Sequence, residues 1–600
     1  MKAKPIGVSV IECPDPLFTD THIILIPASV KKPKGTGQKN DLATKSKKER
    51  KKAEEEFTKV AKRIETLTQV LWCMKKCGQP QMSDDSQIPE FLRHFVILLT
   101  CGQGGDPYAN RVTAVTGKLT DEGRLNAMAI TQNPYDPKSR VSGLDVNRVI
   151  KTNKGFEDVI NGYRDAESLS VHIGDLWAAF ASCNPAEDPR APTKLLNFVI
   201  SRSSRKLHAR LESGETRCKG ELSDKIRQWQ PAESSIGQRW VTVPSWLEDC
   251  VKQPVPVTMN ANVDGEGPRW EFSDRTQKDW AEILATMLSE LRQAVKRAHD
   301  IREKNRAGPM DEEERNAIAM VGVRSQRLFL FIDWEEDVVK DLLTKTDMAD
   351  FVVPNLREPA NPQGGENEME NYLQANKDGD HGDHLLRYLQ ALVAWPGAVR
   401  NLLTDEFRAF FKNDLTVGLV NVQARKSSLC STKEMMKEYV HANLDNILSN
   451  LRQELQKKFK DHCSRSRHKT VHAEATLMGL ASYLASYDAR VNYGNLIPEN
   501  DDQTLREIIN SDAREIGIAV GKDCCWCCNK LAYHLGAHLQ KEFKLPRTQG
   551  LIYGWKPPRV GIPVSLLKSL ENDLWLELVE ALYDLRRRRF RQNSGGSFQI

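Results

Sequence analysis

Two short clusters in this 600-residue sequence combine metal-binding side chains with one that can move a proton. The first is Val471-His472-Ala473-Glu474. The second is Cys524-Cys525-Trp526-Cys527-Cys528, which holds two C-x-x-C pairs of equal spacing, Cys524 with Cys527 and Cys525 with Cys528. Imidazole and thiolate are the donors a zinc ion prefers, and two thiolates with one imidazole leave a tetrahedral zinc one open position for water. That open position separates a catalytic zinc from a closed structural one, and the ion lowers the pKa of the bound water towards about 7. Glu474 stands two residues beyond His472, within reach of such a water without being needed on the metal. It can take the water's proton and pass it on.

The flanking sequence says what must position these groups. Residues 473–487 are rich in Ala, Leu and Met, good helix formers, so His472 and Glu474 are expected in the first turn of a helix. Residues 515–520 (EIGIAV) alternate as a strand does, Gly521 and Lys522 make a turn, and 531–539 continue as a helix with Cys525 and Cys528 at its start. Cysteines three apart share a helix face there, and the positive helix end favours their thiolates. Residues 550–555 (GLIYGW) read as a short strand, and Pro563 opens a helix with apolar positions at Leu567, Leu570, Leu574, Leu578 and Leu582. Strand and helix alternate as in a three-layer α/β/α fold. H-x-E followed by C-x-x-C is the pattern of zinc deaminases, in which a hydroxide attacks C4 of cytosine or C6 of adenine with the Glu as general acid and base.

Val471–Glu474, the segment IGIAVGKDCCWCCNKL, the stretch 553–558 and the final helix resemble the OTT_1508-like deaminases, a group of fungal proteins within the cytidine deaminase-like superfamily, over residues 435–585. The resemblance implies a zinc-dependent nucleobase deaminase. Aligning Lys522 with the lysine of the Ser-Lys that precedes the family's cysteines selects Cys525 and Cys528 as ligands beside His472. Gly521 replaces that serine, and Cys524 stands where many deaminases have proline. The interval 459–469 is too short for the β-hairpin that precedes the HxE helix in this superfamily, so those strands are either trimmed or drawn from elsewhere, such as 415–422.

Three other uses of these residues compete. Cys525, Cys528, His534 and His538 spell C-x₂-C-x₅-H-x₃-H, a closed structural site, although a finger needs about twelve residues between its pairs. A redox C-x-x-C lacks the early βαβ unit it would require. A deaminase fold kept only for binding is the third, and a non-catalytic zinc-stabilised scaffold is its general form.

Composition bounds the rest. The length implies several domains. Thirteen cysteines lie singly apart from the one knot, and no apolar run is long enough for a membrane helix. Residues 1–9 are followed by Glu12 and Pro14 where a secretory signal would be apolar, so an intracellular protein is expected, cytoplasmic or nuclear, with 45–52 as a nuclear-import candidate. The net charge of +5 makes nucleic-acid binding a matter of local patches. Arg586–Arg589 with Phe590 and Arg591 supply one such patch, and Trp526, Tyr553 and Trp555 offer stacking faces for a substrate base. Asp378, Asp380, His381, Asp383 and His384 resemble helix-start chemistry more than a metal site, and Gly102, Gly104, Gly105, Gly117 and Lys118 do not assemble a phosphate loop.

The expected architecture is therefore multidomain. Residues 1–52 form an N-terminal segment with a solvated linker over 31–52. Residues 53–430 form a mostly helical region with an exposed loop at 357–383; it contains amphipathic helices at 54–74, packed on that region, and at 280–295 and 325–343. Residues 431–585 form the deaminase-like domain, opened by a helix over 435–459, and 586–600 form a basic flexible tail. Zn²⁺ is the expected cofactor and nucleic acid the expected partner.

Overall fold

The computed structural model describes residues 39–74, 76–78, 88–101, 112–119, 125–133, 145–148, 155–161, 168–232, 236–248, 259–260, 269–305, 310–353, 381–412, 416–421, 470–486, 499–548 and 550–594. The chain divides into two units, 1–52 and 53–600, the first described only as the beginning of the helix Lys39–Cys73. The expected linker is thus helical from Lys39. Its run LATKSKKERKKAEEE holds no proline or glycine and consists largely of Ala, Lys, Glu and Arg, all strong helix formers.

Eleven strands occur among the described residues: β1 (Thr113–Leu119), β2 (Leu125–Gln132), β3 (Asp145–Arg148), β4 (Arg239–Thr242), β5 (Met259–Asn260), β6 (Arg269–Phe272), β7 (Thr416–Asn421), β8 (Thr470–Val471), β9 (Glu515–Val520), β10 (Glu542–Lys544) and β11 (Trp555–Lys556). Six of them form one mixed sheet in the order β10-β9-β1-β2-β7-β3. β1 and β2 are an antiparallel pair running from Thr113↔Gln132, β1 also pairs antiparallel with β9 at Val115↔Ala519, and β2 pairs in parallel with β7. A boundary at 430/431 therefore falls between strands of a single sheet. An antiparallel pair of strands over 113–132 stands in this sheet, and β7 lies where 415–422 suggested a strand.

Both faces of this sheet are buried, and the two-residue period of the strands sorts side chains between them. Val115, Met128, Ile130, Val417 and Leu419 point into a core shared with the helix Glu90–Leu99 and the large helical body. Ala114, Ala127, Ala129, Val420, Ile516 and Ile518 point the other way, into a core shared with the helices Ala473–Ala485, Trp526–Leu539 and Val564–Ser594. Helices cover both sides, and helix is the main secondary structure of the described chain.

The N-terminal helix buries Phe57, Val60, Ala61, Ile64, Leu67, Val70 and Leu71, the apolar stripe its sequence predicts. It packs into the second core and not on the helical body, since its apolar stripe and its ion pair lead there: Arg63 makes a bidentate pair with Glu571, and just past the helix end Lys76 reaches Glu577 and Glu580. Helix 280–295 lies within Gln277–Lys304. The expected helix 325–343 is split into Glu312–Ile332 and Val338–Thr344, since the chain turns through Asp337 at φ +52°. The last helix runs from Val564 to Ser594, so the basic segment from Arg586 continues it instead of forming a flexible tail. Residues 550–555 contribute only the start of β11 and a bridge at Leu551. The helix expected at 435–459 and most of the loop 357–383 lie outside the described residues.

Candidate metal centre

Two helix starts meet here. His472 is the N-cap of Ala473–Ala485, reached directly from β8, and Cys525 is the N-cap of Trp526–Leu539, reached from β9 through the turn at Gly521. Cys525 Sγ accepts a bond from the Cys528 N–H (3.4 Å), which satisfies one of the unpaired amides of a helix start and faces sulfur with the positive helix end. The helix Ala473–Ala485 is enclosed on all sides, as an Ala-rich helix at the centre of a core must be. It is approached closely where Gly561, at φ +78°, packs on Gly479: a Cβ at 561 would lie 1.6 Å from the Gly479 carbonyl oxygen.

His472 Nδ1 lies 3.2 Å from Cys525 Sγ and 3.5 Å from Cys528 Sγ, and Glu474 Oε1 is 3.5 Å from the same nitrogen. One donor atom from each of these four residues falls within 4.8 Å of the others, and all four are buried. A buried His, Glu, Cys and Cys group of this kind can hold a metal ion. Both Glu474 carboxylate oxygens and His472 Nε2 are buried without a hydrogen-bond partner among the described residues, an arrangement costly in an enclosed pocket unless a ligand completes it. Trp555 is wholly buried and donates its indole N–H to Cys528 Sγ at 3.2 Å. Just past the end of β2, Asn133 Oδ1 accepts the Ala473 N–H at 2.7 Å and caps the His472 helix.

The metal-free electrostatics follow from enclosure. Burial opposes the Cys525 thiolate, but hydrogen bonds with Cys527 and Cys528 and the charge of His472 outweigh it, and the thiol is held well below its ordinary value. Burial likewise opposes charge on His472, yet the charge and close approach of the Cys525 sulfur, with the Glu474 carboxylate 3.5 Å away, push the imidazole up to about 10. Burial, reinforced by hydrogen bonds with Cys524 and Cys525, keeps Cys528 well above the usual thiol range. Burial also pushes Cys524 up to about 12.

The structure therefore brings together His472, Glu474, Cys525 and Cys528 out of the candidates. Cys524 turns its thiol to the Cys525 carbonyl, and Cys527 packs in the core. His534 and His538 do not join the group: His534 Nε2 is 2.8 Å from Asp573 Oδ2, and His538 is exposed on the last turn of its helix. Trp526 and Trp555 are fully buried and Tyr553 nearly so, with Lys522 Nζ 5.2 Å from the Tyr553 ring centroid, so the two indoles present no open face to a base. His381 pairs with Asp350 in the first turn of the helix His381–Leu392, while Asp378 and Asp380 lie outside the described residues. Gly117 and Lys118 are part of β1. Asn133 and the bond from Trp555 to Cys528 carried no signal in the sequence, since each partner is tens to hundreds of residues away. No helix among the described residues is long and apolar enough to cross a membrane.

No family model, no curated protein and no solved structure matches this chain.

Proposed function

We propose that the chain is a zinc-dependent hydrolytic deaminase that removes the exocyclic amine of a nucleobase, cytosine or adenine, carried in a polynucleotide. The observation that carries this reading is one buried cluster that combines a His, Cys, Cys donor set with a carboxylate whose two oxygens lack hydrogen-bond partners among the described residues. The spacing suits zinc. Bonds of about 2.3 Å to sulfur and about 2.0 Å to nitrogen, at tetrahedral angles, place nitrogen and sulfur about 3.5 Å apart; the separations here are 3.2 and 3.5 Å.

An ion held by His472, Cys525 and Cys528 would supply the Lewis acidity that makes a water acidic near neutrality. Glu474 does the proton work. It accepts one proton from the water that adds to the amidine carbon and gives it to the adjacent ring nitrogen, then carries the remaining hydroxyl proton to the exocyclic amine, so that the C–N bond breaks, ammonia leaves and a carbonyl remains. The resemblance of the VHAE and CCWCC segments to deaminases supports the same reading, as does the sheet covered by helices on both faces. With Trp526 and Trp555 enclosed, the preference for a polynucleotide rests on the arginines at 586–589 and 591.

The enclosure of the pocket favours a second reading, in which Glu474 is a fourth ligand and the metal only stabilises a scaffold: His472 and Glu474 are each 1% exposed. Uracil and inosine are measured in the DNA and RNA of cells expressing the wild type or Glu474→Gln, together with zinc per purified chain. New uracil or inosine in the wild type alone, with zinc kept in the variant, supports the deaminase. Zinc lost from Glu474→Gln, with no new base in either, supports the scaffold.

A further inference from the structure

Cys528 has a neighbour besides the metal-binding group. Its sulfur, fully buried, receives the indole N–H of Trp555 at 3.2 Å. Indole nitrogen donates only, and a buried indole generally finds an acceptor; Trp526, enclosed in the same core, has no partner for its Nε1 among the described residues. The backbone fixes Trp555 from two sides. β11 pairs in parallel with β8 at Trp555↔Thr470 and Lys556↔Val471, the step immediately before His472. On the other side Trp555 N–H donates to Thr68 Oγ1 at 3.2 Å, and the same hydroxyl lies 3.3 Å from the Trp555 carbonyl oxygen. Thr68 belongs to the N-terminal helix and is itself buried.

We propose that Trp555 is a positioning residue of the metal centre: its indole N–H is an outer hydrogen bond to the Cys528 thiolate, and Thr68 holds it there, so that the N-terminal helix is part of the metal site. This rests on the reading that His472, Cys525 and Cys528 hold a metal. A hydrogen bond to a ligating sulfur orients its lone pairs and draws electron density from them. Partners of this kind change metal affinity by about 10–100-fold when removed. Phenylalanine keeps an aromatic ring in the core and lacks the N–H, which makes Trp555→Phe the informative variant.

The experiment uses the full chain, wild type, Trp555→Phe and Thr68→Val, each loaded with Cd²⁺ and with Co²⁺. Zinc affinity comes from chelator competition, and the sulfur-to-metal charge-transfer band from absorption. Loss of the N–H raises the energy of the sulfur lone pairs, so Trp555→Phe is expected to move the band to longer wavelength and to weaken zinc about 10–100-fold. Thr68→Val is expected to shift it the same way by less. A folded Trp555→Phe protein with the wild-type band and wild-type affinity overturns the proposal while leaving the metal reading intact. A wild type that takes up no metal removes both. If Trp555→Phe does not fold, Thr68→Val decides, and an unmoved band in that variant overturns the proposal.

Discussion

Replacing His472 by alanine separates the proposed centre from every other arrangement of the same cysteines. The imidazole nitrogen sits 3.2 and 3.5 Å from the two sulfurs, so it is one of three protein donors around a common point. Zinc sites assembled from such donors bind with about 10–16 kcal/mol, which shared over three donors is roughly 3–5 kcal/mol each, or roughly two to four decades of affinity. His472→Ala is therefore expected to lose zinc to a chelator that leaves the wild type loaded. His534→Ala and His538→Ala are expected to match the wild type, because the first hydrogen-bonds Asp573 and the second is exposed. The assay is zinc per chain by elemental analysis after dialysis against chelators of graded strength, with helical content checked by circular dichroism. A loaded His472→Ala, or a His534→Ala stripped at the same chelator strength, would refute the reasoning and return the cysteines to a structural C-C-H-H site.

Glu474→Gln should keep its zinc and lose deamination by about 10²–10⁴-fold, the range general acid–base groups contribute, measured on single-stranded DNA and RNA oligonucleotides. Metal uptake by the apo protein should release about two protons at pH 8, one from His472, raised to about 10, and one from Cys528, raised well above the thiol range, with Cys525 already a thiolate. Apparent affinity should then rise with pH by about 100-fold per unit below that value, read by calorimetry in buffers of different ionisation enthalpy; a pH-independent affinity counts against the charge assignment. Ile64→Ala, in a fully enclosed site of the N-terminal helix, is expected to cost about 2–5 kcal/mol in urea denaturation, whereas a helix merely tethered to the chain would lose almost nothing. A fragment beginning at residue 431 lacks β1, β2 and β7 and is expected to be insoluble and metal-free; a soluble, zinc-loaded fragment would contradict the shared sheet.

The candidate metal-binding group was legible because its members are local signals. His472 and Glu474 sit two apart at a helix start, Cys525 and Cys528 three apart at another, and the β-branched alternation of 515–520 announced the strand between. The sheet was not legible. β2 reads LNAMAITQ, with alanines on one face and Met128 and Ile130 on the other; since both faces are buried, the polar alternation that marks a half-exposed strand is absent. Its partner β1 pairs with β9 across about four hundred residues, a separation no local pattern encodes. Trp555 was singled out for its ring, and only the fold could show that its N–H is spent on the Cys528 sulfur.

The topology also bears on what the helical region does. Between β2 and β7 lie the helices from Phe156–Ile160 to Asp405–Lys412, and β2 and β7 are neighbours in the sheet. That body is thus an insertion between adjacent strands, packed on one face of the sheet through Met128, Ile130, Val417 and Leu419, while the helices that carry the candidate metal-binding group occupy the other. β2 links the two faces directly: Met128 and Ile130 pack into the helical body, and Asn133, the residue after the strand, caps the helix that begins at His472. A shift of β2 by one residue would exchange its two buried faces and withdraw the Asn133 cap from the helix that begins at His472, so the register of this strand fixes both sides of the sheet at once.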